Sequence, residues 1–225
     1  MKNRPMKPAP TNARRPARDR VYAYLREQIL RGAIKGGSFV EEEQISLAVG
    51  VSRTPVREAF HRLEAERFID LLPRRGALVR QVTVQELVQV YEARRMIETY
   101  VIRRICEEGR TVPPSLDALL ARMRTLAQTR DHNAQAAENL RFHRMLVALA
   151  GNEVILDLYD TLGARQQRVA VSALAADPAR LPVIHDQHEA LLKALRARDA
   201  EGASAILAEH LRPVLEVVSR LPGYG

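Results

Sequence analysis

Val51-Ser52-Arg53-Thr54-Pro55-Val56-Arg57-Glu58-Ala59-Phe60-His61-Arg62-Leu63 reads as a helix whose two faces require different surroundings. Ser52 is a good N-cap, and Pro55 falls in the first turn, where a missing N–H loses no helical bond. Val56, Phe60 and Leu63 form an inward apolar stripe. Arg53 and Arg57 lie four residues apart and point outward together, beside Ser52 and Thr54. Immediately upstream, Gly50 supplies the left-handed residue that ends a short helix over Glu41–Ala48, whose first turn holds acids where the helix dipole favours them. Further back, Val21, Leu25 and Ile29 recur every four residues from Arg18 towards Gly32, and Gly36-Gly37 marks a turn. Downstream, Phe68-Ile69-Asp70-Leu71-Leu72 and Ala77-Leu78-Val79-Arg80 flank Pro73-Arg74-Arg75-Gly76, the pattern of a β-hairpin. Helix, helix, turn, helix and hairpin is the order of a winged helix-turn-helix. In that arrangement the third helix puts its amino-terminal end nearest the bases. Arginine can grip guanine O6 and N7 with two hydrogen bonds, hydroxyls suit phosphates or bases, and Arg74, Arg75 and Gly76 form a cationic wing tip.

Charge is distributed to match. The chain has 225 residues and a formal net charge of +8. Residues 1–81 hold 17 Lys+Arg against 9 Asp+Glu, whereas residues 82–225 balance 18 against 18. All the excess positive charge therefore lies with the helix-turn-helix and with a Pro-rich basic stretch over residues 1–17, which reads as a flexible arm. No apolar run approaches the ~18 residues of a membrane helix, and the basic amino terminus lacks the apolar segment of a secretory signal. Cys106 is the sole cysteine and can make no internal disulfide, which fits a cytoplasmic location. Trp is absent and aromatic residues are 4% of the chain, which argues against base stacking as the binding strategy.

From Thr83-Val84-Gln85-Glu86, a capping box, the pattern is helical throughout. Residues 83–108, 113–130, 132–150, 152–175, 178–198 and 200–219 read as six helices of an all-α antiparallel bundle, broken at Gly109, Gly151-Asn152, Asp177-Pro178 and Asp199. The domain limits expected are 18–81 for the winged helix-turn-helix and 82–222 for the bundle.

Three histidines of the bundle share a pattern. His143 has Val147 four residues away, His188 has Ile184 and Leu192, and His210 has Ile206 and Val214. Imidazoles on three core-facing stripes can converge as a site for Zn, Ni, Cu or Fe, although each can equally be a hydrogen-bonded core histidine. His132 reads as a surface residue, and His185, one turn before His188, as an exposed residue or a spare ligand. Arg94 lies three residues from both Tyr91 and Ile97 on the stripe Leu87, Tyr91, Ile97, Val101, Ile105. A guanidinium there requires an anionic partner, for which Glu98 at i+4 is one candidate.

The run Val51 to Ala59, with Pro73-Arg74-Arg75-Gly76-Ala77, resembles the GntR family of transcription regulators. The helical remainder is similar to the FCD ligand-binding domain of the FadR subfamily, and six helices are closer to the VanR-type branch than to the FadR type. The resemblance spans about residues 18–219. It implies that Arg53, Thr54 and Arg57, with Gly76 at the wing, contact operator DNA. It further implies a homodimer reading a near-palindromic operator, usually as a repressor, and a small carboxylic acid effector. Many FCD domains hold a divalent metal with one carboxylate and three histidines. His143, His188 and His210 match the histidine positions, but Asn139 stands where the carboxylate belongs, so a metal would be held more weakly or with altered selectivity. Asn139 and Arg94 become effector contacts in this reading, Arg94 through the effector's carboxylate. Arg67 departs from the glycine that many relatives carry at the end of the third helix. Two other readings compete: a non-specific DNA-binding protein using the same basic surface, and a metallo-hydrolase built on the histidines. The second lacks a placed general base, because Glu138 should point off the pocket face.

Overall fold

The computed structural model describes residues 15–73, 75–214, 217 and 219–221. The chain divides into two compact units, residues 1–81 and 82–225. Most of the basic arm expected over 1–17, residues 1–14, lies outside the described residues, and so does Arg74; Ala17 already belongs to the first helix.

In the first unit α1 (Ala17–Leu30), α2 (Glu42–Val49) and α3 (Arg53–Ala65) pack around Val21, Leu25, Ile45, Val56, Phe60 and Leu63, all nearly inaccessible to solvent. Gly50 closes α2 at φ 68°, its N–H donating to the Ser46 carbonyl, so the chain turns directly into α3. Ser52 takes the extended N-cap conformation, but its hydroxyl accepts no backbone N–H of α3. At the other end of α3, Arg67 adopts φ 63°, a left-handed conformation that glycine would take without strain.

The wing is larger than a hairpin. β1 (Phe39–Val40), β2 (Ile69–Leu72) and β3 (Gly76–Val79) form an antiparallel sheet in the order β1-β3-β2, with Val40 opposite Ala77 and Leu72 opposite Gly76. A two-residue strand gives no period-2 signal, which is why Phe39-Val40 does not stand out in the sequence. Gly76 sits at φ 83°, and a Cβ there would lie 2.6 Å from the Val40 carbonyl oxygen. Only glycine lets β1 and β3 approach at this point.

The second unit is built from α4 (Val84–Glu107), α5 (Ser115–Ala127), α6 (His132–Leu149), α7 (Glu153–Thr161), α8 (Gly163–Ala176), a 3-10 turn (Pro178–Arg180), α9 (Leu181–Arg196) and α10 (Ala200–His210). Caps explain most of the starts. Thr83, Asp131, Asn152 and Asp199 side chains accept from the N–H groups of Glu86, Ala134, Ile155 and Gly202. Two expectations require correction. The segment 152–175 is two helices interrupted at Leu162, which keeps right-handed helical angles (φ −81°, ψ −16°), so the apolar period runs through the break without a cap signal. α10 ends at His210 rather than running on unbroken to 219, because Leu211-Arg212 leads into Pro213, which cannot donate to a preceding turn; residues 215, 216 and 218 lie outside the described residues. Seven α-helices among the described residues, instead of six, remove the helix count as a reason to prefer the VanR-type branch. The core runs through Val101, Ile105, Leu116, Phe142, Leu191 and Leu207.

Candidate DNA-reading face and effector cavity

On the first unit, Arg53, Thr54 and Arg57 are exposed in the first two turns of α3, with Ser52 exposed just before them. Neither arginine is alone. Arg57 Nε donates to both carboxylate oxygens of Glu42 at 2.9 Å, and Arg53 Nη2 donates to Glu43 Oε2 at 3.3 Å. The acids expected to serve only the dipole of α2 thus also cross to the arginines of α3. These four side chains, with Arg75 and Gly76, line an open groove between α2, α3 and the wing. Arg75 places its guanidinium over the Phe39 ring, 4.8 Å from its centroid, so β1 also steadies the wing tip.

In the second unit the three sequence-selected histidines come together. His143 Nε2 lies 3.2 Å from His188 Nε2 and 3.2 Å from His210 Nε2. His143 Nδ1 donates to Glu98 Oε2 at 2.8 Å, and His210 Nδ1 donates to Gln187 Oε1 at 3.0 Å. Those outer bonds put the protons of His143 and His210 on Nδ1 and leave their two Nε2 lone pairs facing one another, whereas His188 Nδ1 is buried without a partner. Two such lone pairs 3.2 Å apart repel unless a cation lies between them. Burial, reinforced by the neighbouring imidazoles, drives the pKa of His188 and His210 well below the ordinary histidine value; burial also lowers His143, against the pull of Glu98. All three imidazoles are therefore neutral near pH 7, the form a metal requires of them. Nitrogens bound at ~2.0–2.1 Å to a tetrahedral ion would be about 3.3 Å apart, close to the spacing seen. The residues present fit a divalent metal.

Glu98 is the residue that sequence reasoning undervalued. It is buried, and besides His143 it accepts from Arg94 Nε at 2.8 Å and from the Tyr159 hydroxyl at 2.7 Å. Burial would raise its pKa, but Arg94 and His143 hold it far below the usual carboxylate range. The Arg94 guanidinium, which burial would discharge, stays charged because of Glu98. The i+4 partner of Arg94 is thus real, but it does not exhaust the guanidinium: Arg94 Nη2 is buried and has no hydrogen-bond partner.

Arg94 also lines a partly open cavity with Tyr91, Asn139, Gln166, His185 and His210, whose apolar wall includes Leu87, Val90 and Ile184. Its volume is about 70 Å³, against roughly 10–15 Å³ for one water. Asn139 Oδ1 and both side-chain amide atoms of Gln166 are likewise buried without partners. Three residues that line one cavity, from α4, α6 and α8, thus each carry an unsatisfied buried polar atom, and a polar ligand is one way to satisfy such groups. His185 lines this cavity, buried and with its pKa lowered by that burial, which corrects the expectation of an exposed ring. Its signal, apolar neighbours at Leu181 and Leu192 across a helix that also carries His188, was masked by adjacent Asp186 and Gln187. Glu138 pairs with Arg122 at a solvent-accessible edge, 3.5 Å away, and faces neither histidine nor cavity.

A basic winged helix-turn-helix with outward arginines, joined to a helical unit with its own cavity, is a DNA-binding transcription regulator. Residues 17–79 match the model described as bacterial regulatory proteins, gntR family, and residues 89–213 match the FCD domain, so the chain belongs to the GntR family in the form that carries an FCD domain. It is 28% identical over 193 residues to the gluconate operon transcriptional repressor of Bacillus licheniformis, covering 81% of this chain and 76% of that one. With the HTH-type transcriptional repressor RspR of Escherichia coli K12 it shares 26% identity over 214 residues, 93% of this chain and 92% of the relative. The crystal structure of a transcriptional regulator GntR from Rhodococcus sp. RHA1 has the same fold, with a TM-score of 0.71, 24% identity, and coverage of 86% of this chain and 93% of that one. Among the described residues no helix is long and apolar enough to cross a membrane.

Proposed function

We propose that this regulator is a cytoplasmic homodimeric repressor that releases or engages its operator when a small hydroxylated carboxylate fills the bundle cavity. The observation that carries this reading is the ring of unpartnered buried groups: a cation at Arg94, an acceptor at Asn139 and both amide functions of Gln166. Arg94 Nη2 suits a carboxylate, and the acceptors at Asn139 and Gln166 require donors such as hydroxyl groups. A sugar acid supplies both, and one relative is named for the gluconate operon. His143, His188 and His210, with Asn139 Oδ1 as a neutral fourth donor, would hold a divalent ion such as Zn or Ni, whose charge would anchor the ligand's oxygens. The protein's own part is to keep the nitrogens aimed and unprotonated, through Glu98 on His143 and Gln187 on His210.

Each protomer would read half of a near-palindromic operator through Ser52, Arg53, Thr54 and Arg57, with Arg75 and Gly76 at the wing; Arg74, expected beside them, lies outside the described residues. The test is a thermal-shift screen of gluconate, citrate and benzoate on zinc-loaded and chelator-treated protein, repeated as operator binding on a duplex selected from a random pool. Gluconate should raise the melting temperature and change operator affinity together. A melting temperature that no acid moves would sink the effector reading. Equal affinity for the selected and a scrambled duplex would sink operator reading. Replacing Asn139 with Asp should tighten zinc binding about tenfold or more, worth ~1.4 kcal/mol, by titration calorimetry; unchanged affinity would remove Asn139 from the ligand set.

A further inference from the structure

We propose that Glu42 is a specificity-determining residue that positions Arg57 for base reading and penalises its use on phosphate. The geometry is one-sided. Both Glu42 oxygens converge on Arg57 Nε, so this pairing does not engage the two terminal nitrogens of a largely exposed guanidinium, which can make a bidentate contact with guanine. Arg57 is 64% exposed while Glu42 is only 30% exposed, so the carboxylate holds the arginine from behind.

In the free protein such a surface pair contributes little to stability. Its consequence appears on DNA. A carboxylate next to a phosphate-facing surface repels the backbone wherever the arginine merely lies along it, and fewer counterions are released. Where a guanine is presented, the pre-aimed fork forms two bonds without first losing its freedom of orientation. The same carboxylate therefore weakens random binding while leaving operator binding strong. Glu43 is a built-in comparison: it meets Arg53 through one contact at 3.3 Å, with both side chains exposed at 69% and 60%, so it holds its arginine loosely and should discriminate less.

This rests on operator reading by the first unit, and the test separates the two. The full-length protein and its Glu42→Gln, Glu43→Gln and Arg57→Ala variants are measured against the duplex selected by the wild type and against a scrambled duplex of equal composition, over a series of salt concentrations. Wild-type preference for the selected duplex establishes operator reading independently. Glu42→Gln should then bind the scrambled duplex about 3- to 10-fold more tightly, with a salt slope steeper by about 0.9 per phosphate gained, while operator affinity stays level or falls. Its base preference should flatten at the same position that Arg57→Ala flattens, and combining Glu42→Gln with Arg57→Ala should flatten nothing further. Glu43→Gln should change the ratio less. Glu42 also sits in the first turn of α2, so its loss can lower the melting temperature; that effect alone leaves the specificity ratio unmoved. If operator and scrambled affinities rise by one common factor, or if neither changes, Glu42 has no positioning role.

Discussion

Two of the Arg–Glu pairs among the described residues have nearly equal length and opposite character. Arg57 and Glu42 meet at 2.9 Å on the surface of the first unit; Arg94 and Glu98 meet at 2.8 Å inside the second, with side chains 6% and 3% exposed. Water can replace either partner of the outer pair, so that arginine is available to a new anion at small expense. Inside the bundle no such exchange exists. Glu98 accepts from three donors, each of which would be stranded by its loss. Surface pairing keeps an arginine ready to transfer, whereas core pairing fixes the position of everything that touches it, here including a histidine of the candidate metal centre.

Breaking the inner pair should produce the largest effect. Glu98→Ala leaves Arg94 charged and buried and frees His143 to rotate, which should destabilise the protein by about 3–5 kcal/mol. Urea unfolding of the chelator-treated protein measures this directly. A companion double variant, Glu98→Leu with Arg94→Met, should recover most of the loss because no charge is left unpaired. If the single variant loses under 1 kcal/mol, the network is not the rigid element described.

Breaking the outer pair should leave stability nearly unchanged and act on DNA instead. Arg57→Ala should cost about 1–3 kcal/mol at the operator and relax one base position per half-site, measured by competition binding. Equal weakening on random duplex would make Arg57 a phosphate contact only.

The two regions also separate in pH. His188 and His210 have pKa values depressed by burial, so the unfolded chain takes up their protons first as pH falls. Their contribution is complete above about 6.5, the ordinary histidine value, and is lost as pH falls from there through their depressed folded values. Glu98, held low by Arg94 and His143, contributes above about 4.5 and fails only in stronger acid. The urea midpoint of chelator-treated protein should therefore drop between pH 7.5 and 5.5; a flat midpoint would show the imidazoles to be hydrated.

What the sequence displays follows the same divide. The recognition helix is legible because each of its features is local: a cap position, a proline in the first turn, a four-residue apolar period, a glycine before it. The three histidines are legible as stripes, since a helix face predicts depth. Glu98 is present in the sequence only as the i+4 neighbour of Arg94, because its bonds to His143 and Tyr159 span 45 and 61 residues. The crossing of Glu42 to Arg57 is hidden for the same reason, behind a local explanation, the dipole of α2, that accounts for the acids without it. The break at Leu162 is invisible because no dihedral there leaves the helical region.

The smallest effect compares two arginines that share an unfavourable backbone. Arg67 in the first unit and Arg198 in the second have φ of 63° and 57°, left-handed values that cost a residue with a Cβ roughly 1–2 kcal/mol. Glycine would relieve that strain and return about 0.5–1 kcal/mol as extra freedom of the unfolded chain. The Arg67 side chain is exposed at the end of α3, so Arg67→Gly should stabilise the protein by about 0.5 kcal/mol. Arg198 instead lays its guanidinium where a Cβ on Gly109 would have to be, covering the turn after α4, and Arg198→Gly gives up that contact along with the strain. Parallel thermal melts should rank Arg67→Gly above wild type and Arg198→Gly at or below it. The reverse order would mean that the exposed arginine, not the covering one, has a partner that its position at the end of the recognition helix conceals.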